Sequence, residues 1–235
     1  MNGICDVHCH ILPGVDDGAK TMELSLEMLR KEYQDGVRSI LLTPHFRREM
    51  FEPSMDEIYE AFDALTFAVR RTRLRLYLGC EYHVNMEMCE DLLLGRRPTL
   101  AGSPYVLCEF SSGDSASYIK ERCYQLASRG FIPVLAHIER YQALTKDFDL
   151  ISELIEFGCR MQVNAGSILG KDGFNAKRFC KKLIREDMLH YIGSDAHDMK
   201  SRPPLLGECA EYLEKKCGYD YTQKVMRDNP LAILQ

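Results

Sequence analysis

Several features that would assign this chain to a common class of protein are missing from its sequence. None of its apolar runs reaches the roughly 20 residues that a membrane-spanning helix needs. The first residues lack the basic segment and apolar stretch of a secretory signal, so we expect a cytoplasmic protein with no membrane insertion. No low-complexity segment or linker marks a domain boundary, and residues 1–235 are therefore predicted to form a single domain.

The sequence also lacks the excess of basic charge that is typical of nucleic-acid-binding proteins. It has 30 Lys and Arg against 35 Asp and Glu, a formal net charge of −5, so we expect no nucleic-acid partner. The ten cysteines include no CxxC pair, which argues against a structural zinc site. Their scatter through helix and strand patterns favours reduced, mostly buried thiols.

What the sequence does contain is a regular alternation of strand and helix patterns. Apolar runs of strand length lie at 4–7, 39–43, 75–80, 105–108, 131–136, 160–163 and 189–193. Helical patterns lie at 22–34, 54–72, 87–94, 117–129, 149–157, 174–185, 204–216 and 220–227. This alternation predicts parallel βαβ units. A barrel would bring all the carboxyl ends of the strands to one face, whereas the alternative, a doubly wound open sheet, would spread them along a line.

Histidines and carboxylates follow these strands in a consistent position. His8 and His10 project from the same face of the first strand, because side chains alternate with a period of two. Later strands deliver His45, Glu81, Glu109, His137, Asp195 and His197. Such a convergent set predicts a metal site. It is too large for one ion and has no clear thiolate, which favours two or three ions of Mn, Fe or Zn.

Other polar residues near these strand ends have more than one interpretation. Asp16 and Asp17 form either a simple turn or a source of one further carboxylate ligand. His83 is either a ligand or part of a pocket wall, and His190, inside a strand, is a core residue or lies behind the ligands.

Two arginines and one cysteine bear on phosphate chemistry. Arg140 comes three residues after His137, and Arg202 comes five residues after His197. Guanidinium groups suit phosphate oxygens, and salt bridges to Glu139 or Asp198 are the alternative role. Cys123 and Arg129 have the Cys-x5-Arg spacing of a thiolate phosphate-binding loop. They lie in a helical pattern without glycine, so we reject a cysteine-based mechanism.

Six ordered motifs between residues 4 and 204 point to a known family. They are DVHCHILPGVDDGAK, LLTPHF, GCEYHV, CEFSS, VLAHIERY and GSDAHDMKSRPP. Together they resemble the bacterial manganese-dependent tyrosine-protein phosphatases of the polymerase-and-histidinol-phosphatase (PHP) superfamily. This resemblance implies an α/β fold, a distorted (β/α)7 barrel with a trinuclear metal site. It implies one ion at His8, His10, Glu81 and Asp195, a second at Glu81, Glu109 and His137, and a third at Asp17, His45 and His197, with Arg140 and Arg202 on phosphate.

The resemblance also implies an activity. It is hydrolysis of phosphotyrosine by a hydroxide that bridges two ions, with Mn²⁺ as the cofactor. The implied substrate is the tyrosine-rich tail of a bacterial kinase that controls capsule or exopolysaccharide synthesis. Arg47, Arg48, Arg70, Arg71, Arg73 and Arg75 either guide such a tail or form a solvated surface. The alternatives are another PHP phosphoesterase, such as histidinol-phosphate phosphatase, and a non-catalytic regulator that binds phosphotyrosine.

Overall fold

A computed structural model describes residues 3–235, so the first two residues of the predicted 1–235 domain lie outside the described part. The strands are β1 (Ile4–Cys9), β2 (Val37–Leu42), β3 (His45–Phe46), β4 (Arg75–Leu78), β5 (Glu81–His83), β6 (Tyr105–Glu109), β7 (Ile132–Leu135), β8 (Arg160–Asn164) and β9 (Tyr191–Gly193). The helices are α1 (Met22–Gln34), α2 (Met55–Val69), α3 (Met88–Leu93), α4 (Ala116–Ser128), α5 (Gln142–Lys146), α6 (Phe148–Glu156), α7 (Ala165–Leu169), α8 (Phe174–Arg185), α9 (Leu206–Cys217), α10 (Tyr219–Gln223) and α11 (Asn229–Leu231).

The seven predicted strands are all present, and the ladder is broken at two places. Pro44, which has no amide hydrogen for the ladder, separates β2 from β3. Gly79 separates β4 from β5 and packs tightly, since a Cβ there would lie 2.7 Å from the Leu100 side chain. These breaks divide the ladder into the order β1-β2-β4 and the order β3-β5-β6-β7-β8-β9.

All ladder pairs between the named strands are parallel, and the sheet curls until its last strand meets its first. Beyond β9, the amide of Asp195 donates to the carbonyl of His8 at 2.8 Å. The amide of His10 in turn donates to the carbonyl of Ala196 at 2.9 Å. The predicted α/β fold with a distorted barrel is confirmed. The distortion consists of the two breaks in the strand ladder.

Local sequence signals set several helix boundaries. Helices α1 and α8 have the predicted bounds. At the start of α2, the Ser54 hydroxyl accepts from the Glu57 amide while the Glu57 carboxylate accepts from the Ser54 amide, which is the predicted capping box. The predicted 220–227 helix is less regular, because a π-helical turn at Lys224–Asp228 separates α10 from α11.

Buried side chains connect the two ends of the chain. Ile233 packs in one apolar cluster with Val7 of β1 and Leu41 of β2. All ten cysteines are free thiols, and eight of them are buried, as the sequence predicts. Within residues 3–235, no helix has both the length and the apolar character that crossing a bilayer requires.

Candidate metal centre

Glu81 of β5 lies at the middle of the histidines and carboxylates that the strand ends bring together. Its Oε2 atom is 3.1 Å from Nε2 of both His8 and His10, and 3.0 Å from Nδ1 of His45. Its Oε1 atom is 2.9 Å from Nε2 of His137. One buried carboxylate therefore contacts imidazoles delivered by three other strand ends.

The remaining predicted ligands surround this centre in three overlapping groups. Atoms that could hold an ion approach each other in the sets His8, His10 and Glu81; His45, Glu81 and Glu109; and His10, Asp17, His45 and His197. Asp195 adjoins the first set, with Oδ1 3.6 Å from His8 Nε2 and 3.5 Å from His10 Nε2. His137 adjoins the second, with Nε2 3.8 Å from Glu109 Oε1. All nine predicted ligand residues thus lie in one cluster, and His45 contacts the Glu81 and Glu109 pair as well as Asp17.

Unusual backbone conformations turn two of these side chains into the cluster. His137 and Asp195 have φ values of +33° and +51°, in the left-handed region that non-glycine residues seldom adopt. Each lies two residues beyond the end of a strand, His137 after β7 and Asp195 after β9. Such a conformation disfavours the fold by about 1 kcal/mol, and it persists where the surroundings impose it, often at functional sites.

Several buried polar atoms of the cluster have no partner in hydrogen-bonding geometry, even where another side-chain atom of the cluster lies close. They are Nδ1 of His45, Oε2 of Glu81, Oε2 of Glu109, Nδ1 of His137 and Nε2 of His197. Buried polar atoms are nearly always paired, because leaving one unpaired disfavours folding by about 1–3 kcal/mol. Bound divalent cations would give imidazole nitrogens and carboxylate oxygens such a partner, so the residues fit a metal centre.

The carboxylates of Asp195 and Glu109 differ in their electrostatic surroundings. Burial alone would raise the pKa of Asp195, but His8, His10, Arg140 and Arg202 hold it well below its usual range. Burial and the neighbouring charge of Glu81 raise the pKa of Glu109 to about 7. Glu109 therefore lies where negative charge lacks compensation, the kind of position that a bound cation stabilises.

The two predicted phosphate-binding arginines meet on one oxygen of Asp195. Arg140 and Arg202 each donate through Nη2 to Oδ2, at 2.9 Å and 2.6 Å. Their side chains are 41% and 36% exposed, so both arginines are partly accessible to solvent. Neither arginine has a side-chain ion pair with Glu139 or Asp198, the alternative contacts considered from the sequence.

The structure separates the roles of Asp16 and Asp17. Asp16 is buried, and its Oδ2 accepts from His10 Nδ1 at 2.8 Å and from the His45 amide at 2.9 Å. Asp17 Oδ1 instead lies 3.4 Å from Nε2 of His197 and 3.6 Å from Nε2 of His45. Asp16 therefore orients two histidines from behind, while Asp17 faces the cluster.

Gln162 is a residue of the site that sequence reasoning missed. Its Oε1 accepts from the His137 amide at 2.7 Å and lies 3.2 Å from Nδ1 of His8, while its Nε2 donates to Oδ1 of Asn164 at 3.0 Å. Asn164 then donates to Oδ2 of Asp195 at 2.7 Å. Both lie on β8, which corresponds to the one strand of the seven predicted from the sequence that no predicted ligand follows. Two side-chain amides at alternate positions of this strand were the signal that the sequence offered.

Other residues considered from the sequence lie outside the cluster. His83 faces Ser111, with Nε2 3.2 Å from Oγ, and belongs to none of the three ligand groups. Arg70 directly follows α2 and Arg75 begins β4, so this part of the arginine set is at the amino ends of the strands. Cys123 is buried within α4, and a hydrogen bond with Cys159 together with burial raises the pKa of its thiol.

Comparison with known proteins places these features in a family. The chain matches the model for capsular polysaccharide synthesis, CpsB/CapC, over residues 4–235. It is 35% identical to tyrosine-protein phosphatase CpsB of Streptococcus agalactiae serotype V over 237 residues, which cover 98% of each chain. It is 33% identical to tyrosine-protein phosphatase YwqE of Bacillus subtilis, over 91% of this chain and 85% of the relative.

Solved structures agree with this assignment. A structure from the work on YwqE from Bacillus subtilis and CpsB from Streptococcus pneumoniae, described as unique metal-dependent tyrosine phosphatases, aligns with a TM-score of 0.87. It is 32% identical and covers 93% of this chain and 90% of its own. Histidinol phosphate phosphatase of Lactococcus lactis subsp. lactis shares the fold, with a TM-score of 0.64 and 15% identity over 93% of this chain and 95% of its own. The resemblance drawn from the six motifs is confirmed, and the chain belongs to the CpsB/CapC family.

Proposed function

We propose that this protein is a metal-dependent protein-tyrosine phosphatase, a phosphoric monoester hydrolase, with its catalytic centre at the strand-end cluster. The observation that carries the proposal is the junction at Asp195. One of its oxygens faces the histidines of the cluster, and the other holds two partly exposed arginines. An ion-binding centre and a phosphate-binding rim therefore share a single residue. The names of the relatives support phosphotyrosine as the substrate.

The proposed ligands are the nine predicted residues in their predicted groups. They are His8, His10, Glu81 and Asp195 for one ion; Glu81, Glu109 and His137 for a second; and Asp17, His45 and His197 for a third, with two or three ions bound. When bound, these ions lower the pKa of water and offset negative charge on the phosphoryl group. The donors are imidazole and carboxylate without thiolate, which suits Mn²⁺, with Fe and Zn as the alternatives.

The chain's own residues bind and orient the phosphate ester. Arg140 and Arg202 are fixed to Asp195 through one amino group each, which leaves further N–H donors of each guanidinium for phosphoryl oxygens. Burial lowers the pKa of His137, so its imidazole is neutral near pH 7 and has a lone pair for an ion. Because the departing phenol has a pKa of about 10, the reaction needs only modest help from a general acid.

The proposed substrate in the cell is the phosphorylated tail of a bacterial tyrosine kinase. The family's description, capsular polysaccharide synthesis, supports a kinase that controls capsule or exopolysaccharide production. Residues 1–235 would act as one catalytic domain, since β1 and the segment after β9 supply the same cluster. Ten unpaired thiols support a reducing, cytoplasmic location.

The first experiment measures phosphate release from a phosphotyrosine peptide after chelation and after Mn²⁺ is added back. His137→Ala and Cys123→Ser are assayed beside the wild type. We expect chelation to abolish activity, Mn²⁺ to restore it, and His137→Ala to lose about 100-fold or more. Cys123→Ser changes a buried thiol of α4 that belongs to none of the three ligand groups, so this variant should keep wild-type turnover.

Three other results would contradict the proposal. Activity that survives chelation but is lost in Cys123→Ser would mean a cysteine mechanism. Faster turnover of histidinol phosphate than of the peptide would mean a different phosphoesterase. Stoichiometric binding of the peptide by the metal-loaded protein without phosphate release would mean a regulator.

A further inference from the structure

We infer that the substrate is recognised beyond its phosphotyrosine, by a basic groove that accepts acidic groups on the flanking peptide. This inference rests on the proposed function and concerns a surface next to the proposed catalytic centre. The groove is a cavity of about 540 Å³ between the loop after β7 and helix α8. Its walls include Arg140, Lys146, Phe148, Arg178, Phe179 and Lys182.

The groove begins at the mouth of the centre. Arg140 lines both the groove and a small cavity of about 60 Å³ that also contacts Asp195 and Arg202. A phosphoryl group held by the two arginines would therefore lie beside one end of the groove. A peptide that carries this group has a direct path from the mouth along α8.

The charge of α8 is unlike that of the chain as a whole. The helix has five basic residues and no acidic one, although the chain has a net charge of −5. Within residues 3–235, only Arg185 of these five forms an ion pair, with Glu186. Arg178, Lys181 and Lys182 are exposed and have no carboxylate within salt-bridge distance among the described residues. A surface of this kind attracts anionic groups.

Little negative charge opposes this attraction inside the groove. Glu139 is the only acidic residue among those that line it. It is 7% exposed, and its Oε1 accepts from the Asn164 amide at 2.9 Å. An incoming anion would therefore meet guanidinium and ammonium groups rather than an exposed carboxylate.

The aromatic residues of the groove suit a peptide better than a free anion. Phe148 and Phe179 line it, and the Lys182 ammonium lies 3.6 Å above the Phe148 ring. Phe174, at the start of α8, is 78% exposed. The occupant that fits is an extended segment of the substrate protein with apolar contacts and carboxylate or phosphate groups near the phosphotyrosine.

The test uses the Mn²⁺-loaded full chain and three phosphotyrosine peptides. One carries glutamates beside the phosphotyrosine, the second carries glutamines there, and the third carries a second phosphotyrosine among glutamines. Wild type is compared with Arg178→Glu/Lys182→Glu and with a matched control, Arg71→Glu/Arg73→Glu. Both control residues are also exposed, their substitution changes the charge by the same amount, and they lie near the amino end of β4. p-Nitrophenyl phosphate, which has no flank, reports on the centre itself.

We expect wild type to prefer at least one anionic peptide over the glutamine peptide by about tenfold in kcat/KM, through KM. The α8 variant should lose this preference and keep its p-nitrophenyl phosphate turnover, whereas the control variant should keep both. Preference for glutamate identifies carboxylate recognition, and preference only for the second phosphotyrosine identifies phosphate recognition.

The inference is overturned if wild type hydrolyses all three peptides equally, or if the control variant loses the preference as fully as the α8 variant. Failure of the proposed function gives a different result, because the Mn²⁺-loaded wild type would then release no phosphate from p-nitrophenyl phosphate or from any peptide.

Discussion

Histidines at the carboxyl ends of the strands differ from His190, at an amino end, in the partners of their ring nitrogens. At the carboxyl ends, His45, His137 and His197 each have a buried ring nitrogen without a hydrogen-bond partner. His190 lies at the amino end of β9, where its Nδ1 accepts from the backbone amide of Met161 at 3.2 Å. The backbone carbonyl of His190 accepts from the side chain of Asn229 at 3.0 Å. The buried nitrogens of the first three histidines lack a partner within the described chain, whereas Nδ1 of His190 already has one.

This difference indicates which histidines are available to bind an ion. Burial and the positive charge of Arg160 lower the pKa of His190 to about 4, so it remains a neutral structural acceptor. The histidines at the other end face carboxylates across a shared centre. The residue type is the same at both ends, and it is the partner that separates a structural histidine from a candidate ligand.

The largest effect is expected at the carboxyl ends, from Gly18→Ala. A Cβ at Gly18 would lie 2.0 Å from the carbonyl oxygen of His10, so the Asp16–Asp17 loop or the end of β1 must move. Because a displacement of about 1 Å in such a centre reduces turnover by roughly 100-fold, we expect a loss of at least that size in kcat/KM. Phosphate release measures it. Gly113→Ala, where a Cβ meets no atom within 4 Å, is the control, and equal losses in both variants would refute the explanation.

A smaller effect, a loss of metal affinity, is expected for Gln162→Leu. This variant keeps the predicted ligands but removes a side chain that contacts both His8 and His137. Such supports usually contribute a factor of about 10 to 100 in metal affinity. Titration calorimetry of the chelated protein with Mn²⁺ measures this directly. The exposed Gln34→Leu is the matched control. Unchanged affinity in Gln162→Leu would show that the hydrogen bonds do not orient the histidines.

The smallest effect is expected at the amino end, from His190→Gln. The folded pKa of His190, about 4, is below its ordinary value of 6.5, so the unfolded chain binds the proton more readily. Stability is therefore lost as pH falls below about 6.5 toward 4. Between pH 7 and 5 we expect this residue to account for about 1–2 kcal/mol of that loss. Urea unfolding at the two pH values should show a smaller decrease in the variant, and an identical decrease would contradict the assignment.

Much of the fold could be predicted because its signals are local. The apolar period of α1, α2 and α8 and the capping box of α2 are contained within each segment. The predicted ligands could be named for a related reason. In a closed parallel sheet, residues that follow different strands converge whatever their separation in sequence.

Contacts between segments far apart in the sequence could not be predicted from these local patterns. The interruption at Gly79 reflects packing against Leu100, which no local pattern reports. The choice between Asp16 and Asp17 depends on which carboxylate the His10 ring and the His45 amide reach. Gln162 was missed because an amide on a strand has no chemical signature until its neighbours are known.

By itself, the sequence determined the order of strands and helices, the residue types at the strand ends and the family. All three depend only on short segments of the chain and on the motifs within them. Only the tertiary structure decided that Asp195 joins the cluster to the arginines and that α8 places its basic residues beside them. The physical reason is that distances between side chains depend on how the sheet curls and how helices pack on it. Neither quantity is fixed by any single segment of the chain.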